Sequence, residues 1–207
     1  MKKRPGFSVL FTSILMVLSA VSATWAEDNK VDVSLTYDDD GTYYVNMPYL
    51  RDKLIIGTLT LTANDLSSYA DPSTGEILFK VYDDGGKSGT YNPYPTSVLQ
   101  IIVPEGYVLT LNGQVKMESL PYAYLNVYDA AERSDDALIA ENLNSGNIGP
   151  YVSSGNALTL YFTAYNEGDD WDGLDLTVGV HQTHAITVNT LVAGGVVSGM
   201  TSAYENQ

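Results

Sequence analysis

The sequence predicts an all-β protein built as a sandwich of two sheets, and three observations carry that reading. Between Val31 and Val180 no 3.6-residue apolar period is sustained, whereas apolar and polar residues alternate with period two in run after run. The runs are rich in Val, Ile, Leu, Thr and Tyr, side chains that suit a pleated, half-buried surface. Clusters of Asp, Gly, Asn, Ser and Pro separate them at the short spacing of sandwich strands.

The elements follow in chain order. Lys2-Lys3-Arg4, the apolar run Phe7–Val21 and the small-x-small site ending at Ala26 have the order of a secretory signal peptide, so residues 1–26 are expected to be removed on export. The apolar run is short for a membrane span and is followed at once by Glu27-Asp28. Strands are predicted at Tyr43–Met47, Gly57–Thr62, Ile77–Tyr82, Val98–Val103, Tyr107–Leu111, Leu125–Tyr128, Ala157–Phe162 and Leu174–Val180. Turns are predicted at Asp38–Gly41, Asp71–Gly75, Asp83–Gly86, Asn112-Gly113, Ser154–Asn156 and Gly168–Asp170. The one helical turn expected is Asn64–Tyr69, with Asn64 as its N-cap. After a linker carrying His181 and His184, Ala185–Val188 and Gly195–Ser198 read as two short strands around Gly194-Gly195. A lone hairpin is marginal, so residues 181–207 are expected to open a further β module of a longer surface protein.

Charge and composition exclude several functions. The chain of 207 residues has a net charge of −15, which becomes −18 once the three basic residues of the leader are removed. Such a field opposes nucleic acid and anionic lipid. The chain contains no Cys, which excludes disulfides, thiolate metal sites, a Cys nucleophile and a lipoprotein anchor. Gly86-Lys87-Ser88 lacks the glycine of a phosphate loop five positions earlier, where Val81 stands. His181-x-x-His184 would place its rings on opposite faces of an extended segment, which suits a linker better than a metal site. Most carboxylates sit in Gly-rich turns, where water keeps them ionised, and no G-x-S-x-G or H-E-x-x-H motif is present. A catalytic role is therefore not expected.

Five pieces recur in a recognisable order: Asp83-Asp84-Gly85-Gly86 with Tyr91, Val103-Pro104-Glu105-Gly106-Tyr107, Tyr124–Asp129 (YLNVYD), Ser153–Leu160 (SSGNALTL) and Gly173-Leu174. Together they resemble a CUB domain, in the cysteine-free form of bacterial surface proteins. The resemblance covers residues 77–180 and implies an antiparallel, jelly-roll-like sandwich used for extracellular recognition without catalysis. Residues 27–76 are then an N-terminal extension that adds edge strands. The resemblance also implies a calcium site, in which Tyr91 fits the family tyrosine and Glu118 its glutamate. Ala123 and Tyr165 stand where the family has aspartates, so the set is incomplete. Residues 166–172 hold four carboxylates in seven residues, and Asn166, Glu167, Asp169 and Asp170 could supply substitute oxygens for Ca²⁺; a solvated acidic turn is the better account of them.

The loop aromatics Tyr94, Tyr122, Tyr165 and Trp171 are the candidate ligand-binding residues, because rings on loops held by a rigid sandwich give stiff, half-polar contact area. For Trp171 the competing reading is a ring folded back as a loop plug. The expected function is that of a non-catalytic, exported binding or adhesion module, secreted or on a bacterial cell surface, recognising a protein or polysaccharide. The alternative is a carbohydrate-binding module of a larger secreted enzyme.

Overall fold

Period-two patterning obliges each strand to bury one face, and the chain does so by closing two sheets on each other. A computed structural model describes residues 29–165, 172–185 and 202–204. The chain divides into two units, residues 1–30 and 31–207, and the second carries the sandwich. Its elements are β1 (Lys30–Asp32), β2 (Thr36–Tyr37), β3 (Tyr43–Asn46), β4 (Leu54–Thr60), α1 (Ala63–Tyr69), β5 (Ile77–Tyr82), β6 (Thr96–Ile102), β7 (Tyr107–Lys116), β8 (Ala123–Tyr128), β9 (Leu138–Leu143), β10 (Ser145–Val152), β11 (Ala157–Ala164), β12 (Gly173–Ala185) and β13 (Ser202–Tyr204).

One sheet has the order β1-β4-β6-β11-β8-β9 and the other β10-β7-β12-β5-β3-β2, with β13 paired to the end of β12. From β5 to β12 the strands alternate between the sheets, except that β8 and β9 stay together. The resulting orders β6-β11-β8-β9 and β10-β7-β12-β5 are those of an eight-stranded jelly roll. The sandwich is not purely antiparallel: β3 runs parallel to β5 and β4 parallel to β6. In each case the chain visits the opposite sheet before returning, so a tight hairpin cannot set the direction.

Inward residues meet in one core. Phe79 and Val81 of β5, Leu109 and Leu111 of β7, and Leu174, Leu176 and Val178 of β12 face Leu99 and Ile101 of β6, Leu125 and Val127 of β8, and Leu158, Leu160 and Phe162 of β11. Motif residues brace this core. Ser153 Oγ accepts the Leu109 N–H (2.8 Å) and donates to the Gly155 carbonyl (2.6 Å); Asn156 Nδ2 donates to the Val103 carbonyl (2.7 Å); the Asp129 carboxylate accepts the Ser154 N–H (2.8 Å).

Several local expectations change. Asn112-Gly113 is not a turn but the middle of the ten-residue strand β7. Gly113 faces the β12 backbone at φ 147°, and a Cβ there would lie 2.3 Å from the Asp175 carbonyl, so close approach of two strands demands the glycine. The helix begins one residue earlier than expected and is capped by Thr62, whose hydroxyl and backbone exchange hydrogen bonds with Asp65 in a capping box. β9 and β10 were not expected, because their polar, Gly-containing sequences show little alternation. β12 continues past position 180, placing His181 in the sheet with Nε2 2.9 Å from Thr110 Oγ1. The hairpin expected at 185–198 lies almost wholly outside the described residues.

Candidate functional site

The loops 83–95 and 117–122, the residue after β11 and the start of β12 all emerge at one end of the sandwich, where β5, β7 and β11 finish and β6, β8 and β12 begin. Asp83 ties this end together. Its carboxylate is fully buried and accepts the Leu174 and Gly85 N–H groups, each at 2.8 Å. Burial pushes its pKa up to about 6, against the lowering effect of those two donors. A Cβ on Gly173 would lie 1.8 Å from Asp83 Oδ2, so only glycine permits the approach. The neighbouring Asp84 carboxylate takes Asn92 Nδ2 (2.6 Å), and burial raises its pKa also. Lys87 donates to Asp38 (3.2 Å) and Asp40, joining the turn to the β2–β3 loop.

On this platform Tyr94, Tyr122 and Tyr165 converge. Tyr165 meets Tyr94 edge-on with centroids 5.2 Å apart, and Tyr122 at 6.3 Å. The rings are 36%, 49% and 59% exposed in the order Tyr94, Tyr122, Tyr165. Their backbones are pinned. Tyr94 sits at φ 57°, between prolines whose carbonyls accept the Tyr49 hydroxyl (2.9 Å, Pro93) and the Thr163 hydroxyl (3.1 Å, Pro95). The Tyr165 N–H donates to the Tyr122 carbonyl at 2.8 Å. A left-handed non-glycine residue costs of order 1–3 kcal/mol, which these contacts must offset. Leu120, two residues before Tyr122, is also exposed. Trp171, the fourth candidate ring, lies outside the described residues.

The candidate calcium residues divide similarly. Tyr91 is buried with its ring T-shaped against Phe162 (centroids 5.5 Å, 78°), and its hydroxyl accepts the Glu118 N–H at 3.5 Å. Burial is the main cause that raises the Tyr91 pKa. Tyr91 therefore meets Glu118 through the latter's backbone. Asn166, Glu167, Asp169 and Asp170 lie outside the described residues. Among the described residues, no three acidic or His side chains are grouped to hold a metal ion.

Sequence reasoning missed Asp83 as the anchor of this end, having read it as a solvated turn residue. The only available signal was its place before Asp-Gly-Gly at the end of an apolar strand. No protein-family model matches the chain, and no curated protein matches it.

Proposed function

We propose that the chain is a non-catalytic recognition module, exported and held outside the cell, that docks a protein or glycan surface through the Tyr94–Tyr122–Tyr165 tip. The observation that carries this reading is the convergence of three exposed rings from three separate segments onto pinned backbone. Rings held in place lose little conformational freedom on binding, and aromatic anchors dominate recognition energetics. Exposed Leu120, two residues before Tyr122 in the chain, favours a protein partner over a glycan, since an aliphatic side chain gains by desolvation and offers a sugar hydroxyl nothing. Export rests on the character of residues 1–26. Among the described residues no helix is long and apolar enough to cross a membrane.

The test is retention of the purified chain on immobilised extracellular proteins and on polysaccharides, with and without EDTA. Saturable retention that disappears in Tyr122→Ala/Tyr165→Ala, with the melting temperature unchanged, supports the tip. Retention that the double variant keeps would remove it. Retention lost with EDTA and restored by Ca²⁺ would bring residues 166–172 into the site.

A further inference from the structure

Beside β2, β3 and the end of α1 a second tyrosine trio lines a cleft of about 500 Å³. That volume lies within the roughly 300–1,000 Å³ usual for small-molecule sites. Tyr37 and Tyr43 are cross-strand partners on β2 and β3, with centroids 4.8 Å apart, and Tyr43 meets Tyr69, the last residue of α1, at 4.6 Å. Tyr43 and Tyr69 rest against the core, while Tyr37 is 62% exposed. The opposite rim is stiff: the Asp71 carboxylate accepts the Ser73 and Thr74 N–H groups (2.7 and 3.0 Å), and the Asp71 N–H donates to the Glu76 carbonyl (2.8 Å). Glu76 and Lys80 add polar groups to the wall.

We infer that this cleft binds a neutral pyranose oligosaccharide. The choice among ligand classes follows from the geometry. Rings packed at 4.6 and 4.8 Å leave no room to enclose a cation between them, so the trio is a platform and not an ammonium cage. Lys80 is already held by Asp175 at 2.7 Å, and the chain is strongly acidic, so an anionic sugar finds no free counter-charge there. The exposed Tyr37 ring and the Glu76 carboxylate suit a ligand with one flat C–H face and hydroxyl donors, which describes an uncharged pyranose. A neighbouring cleft of about 340 Å³ shares Ala70, Glu76 and Leu78 with the first, so Glu76 stands between two adjoining spaces and the site suits more than one sugar unit.

The experiment is saturation-transfer NMR and calorimetry on the whole chain with neutral gluco-, manno-, galacto- and xylo-oligosaccharides, an oligogalacturonate and a proline-rich peptide. At least one neutral oligosaccharide should bind saturably, and more tightly than its monosaccharide. Tyr37→Ala should weaken it about ten-fold or more, as loss of a stacking ring does. Glu76→Gln keeps the shape of the wall and should weaken binding without altering the melting temperature. Tyr165→Ala should leave it unchanged. Four results would overturn the inference: no binding of any neutral oligosaccharide, binding that neither cleft variant weakens, loss on Tyr165→Ala, or preference for the oligogalacturonate or the peptide. Failure at the tip with success here, or the reverse, separates this inference from the function proposed above.

Discussion

The two tyrosine trios use the same side chain with opposite support. At the tip the rings stand on loops, 5.2 and 6.3 Å apart, and are anchored through backbone hydrogen bonds. In the cleft they pack at 4.6–4.8 Å, and two of the three rest on the core. The comparison teaches that exposed aromatics can be positioned by their main chain or by their neighbours, and the two arrangements respond differently to mutation.

The largest expected effect is one that both regions share. Phe162 is fully buried between the sheets in T-shaped contact with Tyr91, so Phe162→Ala should cost about 3–5 kcal/mol in urea unfolding and weaken tip and cleft alike. Loss at the tip alone would show that the two regions do not share one cooperative core.

Asp83 acts on the tip end only. Its folded pKa of about 6 lies above the ordinary value of 3.8, so the folded chain keeps a proton that the unfolded chain has already released. The stability from that proton is present in full below about pH 3.8 and is lost as pH rises through about 6; it amounts to about 3 kcal/mol at most. Wild-type protein should therefore gain stability relative to Asp83→Asn on going from pH 7.5 to pH 4.5, measured by urea unfolding at each pH. Asp38, Asp65 and Asp71 have lowered pKa values, mainly through hydrogen bonds, and oppose this trend only as pH falls through the region below 3.8. A flat difference across the window would mean that Asp83 stays ionised in the fold.

The comparison itself is sharpened by truncating one ring from each trio. Tyr43→Ala should lower stability by about 1–2 kcal/mol because a core-supported ring is removed, whereas Tyr165→Ala should stay within about 0.5 kcal/mol. Equal costs would erase the distinction between the two kinds of support. The smallest effect reaches the cleft through the helix alone: Thr62→Ala removes the cap of α1 and should cost about 1 kcal/mol or less, loosening Tyr69 while Tyr94 and Tyr165 keep their positions. Proton NMR of the tyrosine rings would show which trio responds.

Strands with clean alternation were legible from sequence. Ile77–Tyr82 has the expected bounds, and Tyr107, Ala157 and Tyr128 mark strand ends as read. β9 and β10 were not legible, because Ser145–Val152 is mostly exposed and takes its conformation from β7, its neighbour. Asn112-Gly113 misled, since Asn-Gly signals a turn unless a facing strand needs the missing Cβ. The tip tyrosines were picked out as loop aromatics, but their mutual contact was not visible. The cleft trio was not seen as a group: Tyr43 was read as the start of a strand and Tyr69 as the end of a helical turn, and neither α1's capping nor its direction reveals where Tyr69 lands.

By itself the sequence determined that the chain is all-β, which residues face inward, and that its acids crowd into turns, because period two and turn chemistry act within a few residues. Only the tertiary structure decided the parallel placement of β3 and β4, the burial of Asp83 against a backbone N–H 91 positions away, and the grouping of six tyrosines into two clusters. Those outcomes depend on which distant segments share a core, a choice made by the packing energy of the whole sandwich and written in no local pattern.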